Sequence, residues 1–175
     1  MLNHQPFGPV NQWGFLARDL NSVMQFWIDR FGVGPWWGFR GVSIELEMAG
    51  QKHPVSMDVG MAYQNGVQIE IVQPSEGPSP YADFLASGKA QMLHQIGYFT
   101  PDLAVAKTAA LAQGYELYAE FNTGSAYFSD AMLGDMVVEF TQCDDNMLAY
   151  YKTCADESEA WDGKTEPFRL MDLSA

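Results

Sequence analysis

Two short runs, VQIEIVQ at residues 67–73 and MVVEFTQ at residues 136–142, superpose residue for residue and place Glu70 over Glu139 and Gln73 over Gln142. In each, the glutamate stands between apolar neighbours, Ile69 and Ile71 or Val138 and Phe140. A strand sends alternate side chains to opposite faces. The glutamates therefore face away from the residues that pack the core. A second doubled phrase lies nearer the start of each half. NQWGFLARDL (11–20) recurs as HQIGYFTPDL (94–103), with Gln12, Gly14, Asp19 and Leu20 repeated as Gln95, Gly97, Asp102 and Leu103. Two carboxylates and two carboxamides then converge on one concave surface. Two nearby glutamates raise each other's pKa and form an acid/base pair. The plainer reading is a polar lining in which each glutamine hydrogen-bonds a ligand or its neighbouring glutamate.

These residues need elements to position them. VNQWGFLA reads as a strand, and Asp19 or Asn21 is placed to cap a helix in which Val23, Phe26, Trp27 and Phe31 fall at helical spacings. Strands are predicted over 36–47, 55–63 and 67–73, the last two joined by the tight turn QNG. The second half repeats the order, with a strand at HQIGYFT, a helix at PDLAVAKTAALAQG and strands over 116–121, 125–130 and 136–142. The fold class is α+β: two tandem βαβββ modules, residues 10–74 and 93–142, within one domain of residues 1–175. A linker at 75–92 carries a short helix near 81–86, and residues 143–175 form a tail with an appended helix. A repeated unit that cannot bury its own face pairs with its twin. The expected result is a half-open, barrel-like sheet cup with helices on one face.

Composition excludes several partners. A net charge of -13 repels nucleic acid and anionic membrane surfaces. No apolar run approaches the length of a membrane span. The first residues carry neither the basic nor the apolar region of a signal peptide. Cys143 and Cys154 fit free thiols in a reducing compartment. A cytoplasmic location is the expectation.

FGVGPW, IEIVQPSEGPSPYADFL and LHQIGYFTPDL, in that order and within the paired βαβββ pattern over residues 10–142, resemble the vicinal oxygen chelate superfamily. That superfamily includes glyoxalase I, methylmalonyl-CoA epimerase, extradiol dioxygenases and antibiotic-sequestering resistance proteins. The likeness is greatest to its epimerase-like and glyoxalase-like branch. The resemblance implies a divalent ion held by the first and last strands of each module, which here means Gln12, Glu70, Gln95 and Glu139. In such enzymes the third of these strands commonly begins with two histidines, and the second aligns with Gln95. His94 aligns with the first, and parity turns it to the opposite face unless a bulge shifts the register. An oxygen-only donor set suits a single Mg²⁺ or Mn²⁺ better than Zn²⁺ or redox iron. A metal-free carboxylate pair is the alternative.

Glu70 and Glu139 are the candidate catalytic residues. Trp36, Trp37, Tyr63 and Gln95 are the candidate substrate contacts, with one of the two adjacent tryptophans expected at the cleft mouth. His4 and His53 read as loop or surface residues and Asp58 as a polar strand position. A floor of Gln and Glu with aromatic walls suits a hydrophobic molecule bearing vicinal oxygens. A phosphate-rich ligand fits poorly, because the chain has only nine Lys and Arg and no Gly-rich phosphate loop. Open outer strand edges predict a homodimer. The expected function is an isomerase or lyase that moves a proton next to a carbonyl. The alternative is a non-catalytic protein that binds or sequesters an aromatic or polycyclic compound.

Overall fold

The computed structural model describes residues 6–75 and 77–173, so His4 lies outside the described residues. Strand, helix and three strands follow one another in the first half: β1 (Gln12–Ala17), α1 (Leu20–Phe31), β2 (Trp36–Met48), β3 (Gln51–Gln64) and β4 (Val67–Pro74). After α2 (Ala82–Ser87), the second half repeats them as β5 (Gln91–Thr100), α3 (Leu103–Ala112), β6 (Glu116–Phe121), β7 (Ser125–Ser129) and β8 (Val137–Gln142). The tail adds α4 (Asp145–Glu159) and a strand absent from the sequence reading, β9 (Phe168–Asp172).

The repeated residues set the entry of both helices. Asp19 Oδ1 accepts the Ser22 backbone N–H at 2.7 Å, and Asp102 Oδ1 accepts that of Val105 at 3.1 Å. Gln73 and Gln142 serve the same ends. Gln73 Oε1 accepts the Leu20 N–H at 2.7 Å and Gln142 Oε1 the Leu103 N–H at 3.3 Å, tying each helix start to the last strand of its module. These bonds satisfy N–H groups that a helix leaves without partners in its first turn.

The sheet runs β3-β4-β1-β5-β8-β7-β6-β2-β9, and β2 also pairs with β3, so eight strands close into a barrel. The far side of the cup, expected to stay half open, is shut by a short seam. Only Leu46–Phe121 and Glu47–Glu120 pair there, and Asn122 adds two bonds to the Glu45 backbone. β9 lies parallel to the first part of β2, from Trp36 to Arg40. The β2 edge is therefore occupied within the chain over those stretches. β1 and β5 join the two modules in antiparallel pairing.

α1 packs Leu20, Val23 and Met24 against Trp36, Ala62 and Ile69 on the barrel's outer face. α3 does the same with Leu103, Ala106 and Ala110 against Phe128 and Val138. The barrel interior is filled by Leu16, Leu46, Val55, Met57, Val72 and Phe121, together with Tyr81 and Phe84 from the linker. α2 has six residues, too short to persist alone. Burial of Phe84, worth about 1.5–3 kcal/mol, holds it in place. The Arg18 guanidinium adds a grip by donating to the Lys89 carbonyl at 3.0 Å and to that of Leu85. Among the described residues, no helix is long and apolar enough to cross a membrane.

Asp102→Ala is expected to lower stability by about 1 kcal/mol and Asp102→Asn by much less, because Asn keeps the acceptor. Urea unfolding of the two variants checks this. Equal losses would show that the cap bond is not what holds α3.

Candidate active site

The antiparallel register of β1 and β5 sets Gln12 opposite Gly97 and Gly14 opposite Gln95. A Cβ on Gly14 would stand 2.2 Å from Gln95 Cγ, and one on Gly97 would stand 2.3 Å from Gln12 Oε1. Each glutamine therefore lies across the opposing strand in space that only glycine leaves free. Just past this point the register shifts: Gly14 pairs with Gln95 but Phe15 pairs with Leu93. The extra residue is His94. Parity had turned it away from the site, and the bulge corrects that placement, because His94 joins Gln95 at 2% exposure with Nδ1 2.8 Å from Gln95 Oε1.

Gln95 is the centre of a continuous network. Its Nε2 donates to Glu70 Oε2 at 2.8 Å and to Glu139 Oε2 at 3.1 Å. Its Oε1 also accepts the Tyr127 hydroxyl at 3.3 Å, and Tyr127 meets the Tyr81 hydroxyl at 3.1 Å. Glu139 Oε1 accepts Thr141 Oγ1–H at 3.1 Å, and Thr141 is bonded in turn to Ser125 at 3.0 Å. Gln12 bears on Glu70 and also on Gln68. Its Nε2 donates to Gln68 Oε1 at 2.8 Å, and Gln68 Nε2 donates to the Tyr63 hydroxyl at 2.7 Å. The Gln12 Oε1 atom is buried without a partner among the described residues.

Glu70, Gln95, Tyr127 and Glu139 face a cavity of about 130 Å³ whose walls include Ile44, Met57, Val59 and Phe121. A larger cavity of about 260 Å³ lies beneath α2, lined by Lys89, Met92 and His94. The rings of Tyr81, His94 and Tyr127, with centroids 5.5–6.4 Å apart, stand between the two. The carboxylates face the smaller one.

Burial pushes both carboxyls above the usual carboxylate range. For Glu70 the charge of Glu139 adds to that push, against bonds from Gln95 and Gln12. For Glu139 the opposing bonds come from Thr141, Gln95 and Ser125. Desolvation and mutual repulsion thus favour a pair that shares a proton over two bare charges. Burial also lowers His94, against bonds from Gln95 and the Pro80 backbone, and favours its neutral ring. Tyr127 is held well above its ordinary value, so it remains a hydroxyl.

A divalent ion among Gln12, Glu70, Gln95 and Glu139 does not fit this arrangement. The Gln95 amide N–H groups, not its oxygen, point between the carboxylates, and an ion placed there would meet the positive end of the amide. Gln12 is committed through its nitrogen to Gln68.

The expected substrate contacts separate. Gln95 lines the cavity, whereas Trp36 is fully buried on the outer, α1 side, its indole N–H bonded to Val33. Trp37 and Tyr63 pack beneath α4 with Cys154. Neither tryptophan reaches a cleft mouth, because α1 covers one face of β2 and α4 the other. Asp58 is occupied by Arg40 at 3.2 Å and the Gly41 N–H at 2.8 Å, and His53 sits on β3. Sequence reasoning gave no site role to Tyr81, Tyr127, Thr141 or Ser125. It also left Gly14 and Gly97 unexplained, although both stood in the doubled phrase.

A family model described as the Glyoxalase/Bleomycin resistance protein/Dioxygenase superfamily matches residues 11–131. No curated protein matches the chain by sequence. Methylmalonyl-CoA epimerase from Mycobacterium tuberculosis superposes with a TM-score of 0.56 at 16% identity, over 85% of this chain and 97% of the epimerase. A hypothetical protein from Bacillus halodurans C-125 gives 0.56 at 14%, over 78% and 95%. A methylmalonyl-CoA epimerase in complex with methylmalonyl-CoA and NH4+ gives 0.51 at 14%, over 78% and 94%. At these identities the likeness speaks for the fold.

The raised carboxyl pair makes a signed prediction. The folded state holds protons that the unfolded chain releases near the ordinary value of 4.5. The pair's contribution to stability is therefore complete below that value and falls as pH rises through neutrality. Melting temperatures from pH about 5 to about 9 should decline more steeply for the unmodified protein than for Glu139→Gln. Parallel profiles would mean that the pair is not perturbed.

Proposed function

The chain belongs to the glyoxalase/bleomycin resistance protein/dioxygenase superfamily, and on that premise we propose that it is an isomerase or lyase. The reaction moves a proton at carbon next to a carbonyl, on a hydrophobic small molecule bearing vicinal oxygens. One observation carries the reading: the buried Glu139 carboxyl and the half-buried Glu70 carboxyl face the same cavity and are bound to a single amide. A solvated strand face would not desolvate its glutamates in this way, and an adhesive pocket has no need of two such groups.

The two carboxyls are not equivalent. Both oxygens of Glu139 accept hydrogen bonds, from Gln95 and from Thr141, which favours its ionised form. Glu70 is raised by burial and by the charge of Glu139, which favours its protonated form. Glu139 then removes the carbon-bound proton, while the Glu70 O–H donates to the carbonyl oxygen as it becomes an enolate oxygen. Glu139 then gives its proton to carbon while the enol O–H proton returns to Glu70 as the carbonyl re-forms, which restores both groups. The Gln95 amide orients both groups throughout.

The cavity walls support the substrate class. Ile44, Met57, Val59 and Phe121 are apolar, and among the described residues no Lys or Arg lines the cavity. A phosphate-rich acyl-CoA is therefore not proposed here. At about 130 Å³ the cavity takes a small molecule or the reacting end of a larger one.

The test is deuterium exchange. Hydrophobic hydroxyketones and 1,2-dicarbonyl compounds are incubated with the protein in D₂O, and loss of the C–H signal next to the carbonyl is followed by NMR. Glu139→Gln and Glu70→Gln are each expected to slow exchange by about 10²–10⁴-fold. Binding of these compounds without exchange above buffer would replace this reading with sequestration.

A further inference from the structure

The sense of the Gln95 amide decides what the site can hold, and both ends of the side chain agree on it. At one end, the two N–H bonds of Nε2 go to carboxylate oxygens, 2.8 Å from Glu70 and 3.1 Å from Glu139. At the other, Oε1 lies 2.8 Å from His94 Nδ1 and 3.3 Å from the Tyr127 hydroxyl. Turning the amide over would set its oxygen against two carboxylate oxygens and require His94 and Tyr127 to face two amide hydrogens. The contact with the ionised Glu139 would turn repulsive, whereas His94 Nδ1 and the Tyr127 oxygen can each accept as well as donate. Four of the five residues, Gln95, His94, Tyr127 and Glu139, are at most 7% exposed, so water does little to soften such a change.

The fold spends a strand irregularity on this arrangement. Without the bulge between Gly14 and Phe15, His94 would lie on the opposite face of β5 from Gln95. With it, two consecutive side chains enter the barrel, and the first holds the oxygen of the second. The ring clusters with Tyr81 and Tyr127 fix His94 on its other sides.

We propose that Gln95 stands as a locked hydrogen-bond donor where a divalent ion would have to sit, that the site of this chain is ion-independent, and that His94 and Tyr127 are the positioning residues that set the lock. The proposal concerns the resting protein and does not depend on the reaction proposed above. The amide supplies both carboxyls with a fixed dipole in place of a cation.

The experiment uses the full chain, stripped of metal with a chelator and without an affinity tag. Mn²⁺ is added to millimolar concentration, and the free-ion signal is read by electron paramagnetic resonance. The unmodified protein is expected to leave the free signal undiminished. Gln95→Glu, which points a third carboxylate at the same place, should bind Mn²⁺ at least ~100-fold more tightly. In parallel, the ¹H–¹⁵N spectrum of the unmodified protein should show a resolved, exchange-protected pair for the Gln95 side-chain amide. That pair should merge with exposed glutamines in His94→Phe/Tyr127→Phe while the backbone spectrum persists, and should return in His94→Gln with Tyr127 kept, which restores an N–H donor. One equivalent of Mn²⁺ bound at micromolar affinity by the unmodified protein and lost in Glu139→Gln would overturn the proposal. So would a Gln95 amide that exchanges as fast as an exposed one. Neither result requires turnover, so the proton-transfer reading stands or falls separately.

Discussion

The reciprocal seating of two glutamines against two glycines across the β1–β5 seam is the constraint on which the rest of the site depends. Gln12 lies over Gly97 and Gln95 over Gly14, and in both cases a Cβ would collide with the glutamine side chain at well under van der Waals distance. A glycine inside a strand weakens it and marks close approach of other atoms. Here the loss is met by polar side chains that occupy the vacated volume. The seam joins the two modules, so the same four residues hold the halves together and bring amide groups into the barrel. Without those amides, Glu70 and Glu139 would be desolvated with fewer donors to compensate.

Much of this was legible in the doubled phrases, although they carry two unrelated messages. Asp19 and Asp102, with Gln73 and Gln142, repeat because both helices need the same tie at the same point of the module. Gln12 and Gln95, with Gly14, Gly97, Glu70 and Glu139, repeat because two like halves face each other across one interior. Alternation alone separated the groups, since Glu70 and Gln73 lie three residues apart on a strand and so point to opposite faces. Parity failed at His94 because a bulge depends on what the partner strand demands, and a single strand's pattern does not carry that information. The pairing of β9 was equally hidden. Its contact is with Trp36 to Arg40, far away in the chain, and FRLMD has little alternation to announce it.

The misplacement of the tryptophans has a related cause. Two adjacent residues on β2 must point to opposite faces, and one of those faces was taken to be an open mouth. The tail closes it instead. Tyr151 of α4 tilts against Phe99 at 5.2 Å and lies near Tyr63, while Cys154 packs with Trp37. Arg169 of β9 sits over the Trp37 ring at 5.2 Å and also binds Glu157 of α4 at 2.5 Å, so strand and helix are pinned to the same tryptophan. A cation over an indole face contributes about 0.5–1 kcal/mol where it is partly exposed. Its larger role here is geometric, because it fixes α4 across that end of the barrel.

Closure by α4 restricts how a ligand reaches the carboxylates. On the other side, Tyr81 and Phe84 of the linker fill the interior, and the three-ring cluster separates the cavity beneath α2 from the one that holds Glu70 and Glu139. What remains is the far wall. β2 pairs with β9 as far as Arg40 and with β6 only at Leu46 and Glu47, leaving the stretch between them without a ladder partner on that side. Ile44 lies in that stretch, and it lines the small cavity together with Thr123 and Ser125 from the β6–β7 hairpin. Two residue pairs and the two Asn122 bonds join this seam, fewer pairs than hold any other strand pair in the barrel, and such sparsely bonded regions open first. The shortest seam in the sheet thus stands beside Glu70 and Glu139, at the wall where the barrel is least firmly closed.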